Sequence, residues 1–445
     1  TLNFTLNFIF EMAEKNVVMD IDTFYKKKKK SKSSRTKQHT SGENTVIEPP
    51  VVKNTINEPL KFIDLFCGIG GFHQALSRLG GNCVLACDID KHCRRVYKKN
   101  YGLEPVSDVK KIDEKKMPDF DVICGGFPCQ PFSNGGNKKS FDDERGLLFD
   151  EIMRIAKHKK PRFMFLENVK HILKVSNGEV LKYIKKKIDE NGYVLQLQRM
   201  SPHTYGIPQQ RERVFFICIR KDIYNGKEIN VMAPNLNMKL SDITEKKPNP
   251  KYKIDATVKK VLDAWDELIK QFKEGTKLSP TILIHDYFRN YTQAQKAELA
   301  KWKQDYMAKN IPLITKYINI IRPWYEKHKE VLSIREIYGK LEWQTGPLKK
   351  NDSIYKHFIQ LRQSGIRVKK PHYFPTLVAI SQIPIYGNKK RYITPRECAR
   401  LQSFPESFQL DESDRVTYKQ MGNSVNVYNV HTVISSTLKH YNIVE

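Results

Sequence analysis

The chain has 445 residues, 40% of them hydrophobic, enough for two or three domains with real cores and too apolar for disorder throughout. Its 77 Lys and Arg against 49 Asp and Glu leave a formal net charge of +28, which favours a polyanionic partner, because neutralised phosphates supply most non-specific affinity for nucleic acid. No apolar run approaches the ~20 residues of a membrane span, and eight cysteines in so long a chain form no disulfide framework, so an intracellular, reducing compartment is expected, nucleus or cytoplasm.

The opening TLNFTLNFIF lacks the basic start and small-residue cleavage site of a secretion signal. It precedes EMAEK, which makes Met12 the expected start. Residues 1–58 carry no sustained apolar period, and 23–40 holds eight Lys or Arg and no acid. That is the signature of a disordered basic tail, read first as a solvated arm and second as a DNA-attracting or nuclear-import segment.

From Pro59 short apolar strands alternate with helical segments: Phe62 to Phe66, His73 to Leu79, Val84 to Cys87, then Cys93 to Lys99. Val122 to Cys124, Phe163 to Leu166 and Val214 to Ile219 are further strands, each expected to follow a helix. The alternation predicts an α/β fold, a mostly parallel doubly wound sheet over residues 59–222. Beyond Lys221 the rhythm stops. Val258, Val261, Leu262, Trp265, Leu268, Ile269 and Phe272 share one helical face, and 294–328 reads as mostly helical with a break at Pro312. Residues 346–372 carry seven basic residues against one acidic, interleaved with aromatics, as a DNA-facing patch would.

The chemistry-bearing residues gather at predicted strand ends. FIDLFCGIGGFHQAL, residues 62–76, is strand, glycine turn and helix; Gly68, Gly70 and Gly71 let a nucleotide-like ligand approach backbone amides, although the spacing is not GxGxxG. Asp88 ends the next strand, where a carboxylate can accept both ribose hydroxyls. In VICGGFPCQPFS, Cys129 stands between Pro128 and Pro131 at a strand's carboxyl end, a stiff presentation that suits a nucleophile better than a buried structural thiol. Glu167 and Asn168 close another strand, so Glu167 becomes a candidate acid facing the same crevice. Arg211 and Arg213 in PQQRERVFFI can fix carboxylates or phosphates. Cys83, Cys87 and Cys93 match no zinc spacing, and no metal is expected.

The order GxGG, FPCQPFS, LENV, QxRxR, TPRECARLQSFP (394–405) and YKQMGNSV (418–425) closely resembles the DNA cytosine-5 methyltransferase family. The likeness covers residues 60–222 and 391–430, and six blocks in one order make chance similarity remote. The resemblance implies a Rossmann-like domain binding S-adenosylmethionine (SAM) plus a smaller target-recognition domain. Beyond the basic tail (1–58), which lies outside the likeness, it implies a catalytic domain (59–222), a recognition domain and hinge (223–410), and a segment returning to the catalytic domain (411–445). Cys129 would attack carbon 6 of a cytosine flipped out of duplex DNA, Glu167 would hold ring nitrogen 3 and the exocyclic amine, and Arg213 the carbonyl oxygen with Arg211 nearby. Phe66, Gly68, Gly70, Gly71, Asp88, Ile89, Asp108, Leu148, Asn423 and Ser424 would hold SAM. Gln130, Ser133 and Thr376 would meet DNA, and 133–145 would close over the base.

Such an enzyme is expected to act as a monomer, in a restriction-modification system with a cognate restriction endonuclease or as an orphan or viral methyltransferase. Three rivals stand beside this reading. A transfer-RNA enzyme of the same family tends to carry a Cys-Phe-Thr tripeptide, absent here. A non-catalytic DNA-binding scaffold has no need of Cys129, Glu167, Arg211 and Arg213 together, and a nicotinamide dehydrogenase would need the missing glycine spacing.

Overall fold

The first strand's residues alternate between two cores: Phe62 packs on one face of a sheet, Ile63 and Leu65 on the other. The same period of two continues through Val122 and Cys124 against Ile123, Phe163 and Phe165 against Met164 and Leu166, and Phe215, Ile217 and Ile219 against Val214, Phe216 and Cys218. Strands apolar on both faces must be covered on both. The computed structural model describes residues 59–128, 147–232, 234–278, 281–289, 291–380 and 382–444. The basic tail, Cys129, Gln130, Ser133 and the expected closing segment 133–145 lie outside the described residues.

The large sheet comprises β1 (Lys61–Leu65), β2 (Asn82–Cys87), β3 (Val122–Gly126), β4 (Phe163–Val169), β5 (Tyr193–Met200) and β6 (Arg213–Arg220) in the order β2-β1-β3-β4-β6-β5. Helices α1 (Gly71–Ser77) and α2 (Lys91–Tyr101) cover one face, and α3 (Leu147–Lys159) and α4 (Glu179–Glu190) the other. Pairs β1–β2, β1–β3 and β3–β4 are parallel. Strand β6 departs from the expected helix-then-strand rhythm: it follows β5, an edge strand, and runs antiparallel to both β4 and β5. Its reversal brings its first residue, Arg213, to the edge where the parallel strands end, opposite Val169.

Residues 294–328 are mostly helical, as expected, but the later half also holds a sheet that the sequence pattern does not predict. Helix α5 (Ala256–Gln271) buries the expected face, with Trp265 fully enclosed. It packs with α6 (Lys301–Lys316) and α7 (Ile318–Ser333) against a second six-stranded sheet. That sheet contains β7 (Ile282–Leu283), β8 (Lys340–Gln344), β9 (Phe358–Arg362), β10 (Gly365–Lys369), β11 (Ile385–Tyr386) and β12 (Arg391–Tyr392). The break expected at Pro312 falls instead at Tyr317, and α6 runs through the proline. Pro312 forfeits one helical hydrogen bond, but buried Asn310 ties the helix to Thr281 O and the Leu283 N–H, 2.8 Å each, and Ile314 anchors it below.

The chain then returns to the first core through α8 (Pro395–Leu401), α9 (Asp414–Asn423) and α10 (Val427–His440), the last packed on α1. Thr394 and Glu397 form a capping box at the start of α8, and Arg391 pairs with buried Glu397 at 2.6 Å. No helix among the described residues is long and apolar enough to cross a membrane.

Candidate active site

Open α/β sheets bind ligands outside the carboxyl ends of their parallel strands, and the sequence-predicted residues converge on that edge. After β1 the chain turns sharply: Phe66 (φ 54°), Gly68 (53°) and Gly70 (86°) all lie in the left-handed region before α1 begins at Gly71. For the glycines this is ordinary; for Phe66 it is strain of order ~1–3 kcal/mol, the kind retained at ligand sites. The turn is held by Asp88 at the end of β2, whose Oδ2 accepts the Gly68 N–H at 2.7 Å and Oδ1 the Asp90 N–H at 2.8 Å. Burial pushes the Asp88 carboxyl up from its ordinary value, and those two N–H groups pull it back. Its neighbour Ile89 is an apolar side chain that is 82% exposed.

A Cβ on Gly71 would lie 2.5 Å from Val425 Cγ2 and 3.3 Å from Ser424 Oγ. Glycine there lets the turn after α9 sit directly on the start of α1, which brings Ser424 and exposed Asn423 beside the glycine turn. Phe66 and Leu148 are half-buried against the same core face. Asp108 follows Val106, which bridges Cys87 at the end of β2, and its side chain accepts the Lys110 N–H at 3.0 Å. Among the described residues no group of three His, Cys, Asp or Glu is arranged to hold a metal, and all seven described cysteines are free.

Glu167 stands in β4 opposite Gly126, the last residue of β3, with Oε2 3.4 Å from where a Gly126 Cβ would be. Two residues after Gly126 comes Pro128, and then Cys129. Asn168 steadies this approach: its amide donates to Phe127 O at 2.9 Å, a tie that its sequence position gave no means of anticipating. Glu167 is buried, and Arg213 Nε lies 2.8 Å from its Oε1. The contact is a buried ion pair. Burial raises the Glu167 carboxyl above its ordinary value, opposed by the charges of Arg213 and Arg211. Burial likewise lowers both arginines.

The structure separates the two arginines. Arg213 meets Glu167, whereas buried Arg211 turns inward: Nη1 donates to Leu377 O at 2.9 Å, and Nη2 to Gly422 O at 3.0 Å and Ser424 O at 2.6 Å. All these donors are spent on carbonyls, so Arg211 acts here as a strut. It ties the start of β6 to the turn after α9 and to the stretch after Phe374, which zips onto 208–210. Phe374 N–H donates to Pro208 O at 2.7 Å and Gln210 N–H to Phe374 O at 2.9 Å. Thr376 closes the zip, its hydroxyl donating to Gln210 O at 2.7 Å.

Comparison with known proteins agrees with this geometry. Residues 60–439 match the family of C-5 cytosine-specific DNA methylases. The chain is 30% identical over 367 residues to the type II methyltransferase M.HhaI of Haemophilus parahaemolyticus, covering 82% of this chain and 90% of that one. It is 32% identical over 424 residues to the type II methyltransferase M.HgiCI of Herpetosiphon aurantiacus, covering 85% and 98%. In fold it is similar to the Entamoeba histolytica methyltransferase EhMeth, with a TM-score of 0.52 and 18% identity over 86% of this chain and 99% of that one. With its strand-end crevice, its Glu167–Arg213 pair and a match spanning nearly all of its described length, this chain belongs to the C-5 cytosine-specific DNA methylase family and is a DNA cytosine-5 methyltransferase.

Proposed function

We propose that the enzyme takes its methyl group from SAM and places it on carbon 5 of a cytosine extruded from duplex DNA at a specific sequence, acting as a monomer and as the modification partner of a restriction endonuclease. The observation that carries the reading is the buried Glu167–Arg213 pair beside the strand that leads into Cys129. Cytosine is a poor carbon nucleophile. Addition of the Cys129 thiolate to carbon 6 makes carbon 5 enamine-like; after methylation, loss of the carbon 5 proton to a base and of the thiolate restores the ring. One Glu167 oxygen suits the exocyclic amine as an acceptor, the carboxyl in its protonated form, which burial favours, can donate to nitrogen 3, and Arg213 suits the carbonyl oxygen. A duplex buries these edges and faces, which is why the base must leave the stack.

The residues fit a nucleoside-bearing donor. Strained Phe66 and exposed Ile89 flank Asp88, offering apolar surface to a flat ring and a carboxylate to a sugar. Gly68, Gly70, Gly71, Asp108, Leu148, Asn423 and Ser424 complete the set. SAM supplies an electrophilic methyl group on a sulfonium; the chain binds and orients it. Residues 223–410 would read the duplex and act as hinge, 59–222 and 411–445 would form the catalytic body, and Gln130, Ser133 and Thr376 would meet the strand at the extruded base.

The test is methyl transfer from labelled SAM into duplex DNA and, separately, transfer RNA, by wild type and Cys129→Ser, with bisulfite sequencing of the product. Label in DNA that vanishes in the variant is expected. Label only in RNA would replace the substrate, and SAM binding with no transfer would leave a scaffold.

A further inference from the structure

We propose that Tyr101, the last residue of α2 and outside every motif of the sequence, is a positioning residue for the cofactor: it sets the Gly70–Gly71 peptide at the glycine turn. The inference rests on the SAM reading above. The Tyr101 hydroxyl donates to Gly70 O at 2.8 Å, and its ring fills the space beneath Gly70, where any Cβ would collide with it. Glycine is the residue that tolerates the 86° φ of this position, yet the freedom that admits the conformation also lets a Gly-Gly peptide rotate away from it. A trans peptide points its C=O and N–H in opposite directions. Holding Gly70 O inward, where it also accepts the Gln74 N–H at 2.8 Å, therefore turns the Gly71 N–H outward at the start of α1.

Tyr101 is itself held from the sides remote from the crevice. Its ring stacks on His73 at 3.8 Å and 17°, and meets Tyr97 edge-on at 4.7 Å. His73 Nδ1 lies 2.6 Å from the Tyr97 hydroxyl. Burial pulls His73 down to about 4, so it is neutral at physiological pH. An uncharged three-ring stack between α1 and α2 thus transmits the register of one helix to the turn that opens the other. Order in the turn before the donor arrives lowers the entropy lost on binding.

The Phe variant isolates the hydroxyl, because the ring stays and Gly70 O keeps its bond from Gln74. In full-length protein, SAM affinity by calorimetry and steady-state methylation of duplex DNA are measured for wild type, Tyr101→Phe and Tyr97→Phe. Tyr101→Phe is expected to raise both Kd and KM for SAM about 3–10-fold, the worth of one hydrogen bond, with kcat at saturating SAM and DNA affinity unchanged. Tyr97→Phe, which removes a hydroxyl one ring away, should leave SAM affinity at the wild-type value. Wild-type SAM affinity in Tyr101→Phe overturns the proposal. So does an equal loss in Tyr97→Phe, which would make the effect one of cluster packing. A wild type that binds no SAM overturns the donor reading and this inference together.

Discussion

Replacing Arg211 by Met tests whether a residue that the sequence groups with the catalytic set works as a strut. Methionine keeps much of the apolar stem and removes the guanidinium, leaving the carbonyls of Leu377, Gly422 and Ser424 without that donor in a buried setting. Each such loss costs about 1–3 kcal/mol. Against this stands the relief of a buried charge whose Nε has no hydrogen-bond partner among the described residues, so the net falls toward the low end of the roughly 3–9 kcal/mol that three such losses sum to. Urea unfolding followed by tryptophan fluorescence reads it directly. Arg211→Lys, with one ammonium in place of a planar fork, should lose less, since it can reach some carbonyls but not all three in the same geometry. A substrate-facing arginine would behave oppositely: kcat would collapse in Arg211→Lys while the unfolding midpoint stayed put. That pattern, or a midpoint in Arg211→Met equal to wild type, refutes the strut.

Gly71→Ala should push the 424–425 turn off α1, costing about 1–3 kcal/mol of overpacking and weakening SAM binding; adding Val425→Ala should restore most of the loss, and strict additivity in the double-mutant cycle would show that the contact with Val425 does not matter. Asp64 is fully buried, and burial holds its carboxyl well above the ordinary value. A raised carboxyl favours the folded state at low pH and loses that advantage as pH climbs from the unfolded pKa toward the folded one. Asp64→Asn removes the titration, so its stability relative to wild type should grow as pH rises above the unfolded pKa of about 4, by at most about 1.4 kcal/mol per unit. Parallel pH profiles would contradict this.

The large sheet was legible because its strands are apolar on both faces, and short apolar runs such as FIDLF and FMFLENV end where chemistry-bearing residues begin. Strand β5 escaped notice: at the edge of the sheet it buries few of its side chains, and YVLQLQRM reads as half-polar. The second sheet was invisible for a different reason. Its strands are two to five residues long, and β7 pairs with β8 across four intervening α-helices and a 3-10 turn, so no local window contains the pattern. At the site, Glu167 and Arg213 were recognisable by position at strand ends. The role of Arg211 was not, because it is defined by carbonyls 166, 211 and 213 residues away. Tyr101 carried no signal at all: an aromatic closing an amphipathic helix reads as core, and its hydroxyl matters only once the glycine turn lies over it.

Helix α10 covers α1 and the face carrying Phe62, Val122 and Phe163. On the ribosome, that face is among the earliest made and its cover among the latest. The opposite face receives α3 and α4 while the sheet is still being synthesised. Until α10 is made, the nascent protein therefore has one side of its main sheet covered only in part, by α1 and α2, and the rest of that apolar face is open to chaperones or to neighbouring chains. Closure of so distant a contact is slow, and it couples the birth of the active crevice to the synthesis of α10: a polypeptide halted before it presents the glycine turn on an α1 whose outer side is uncovered.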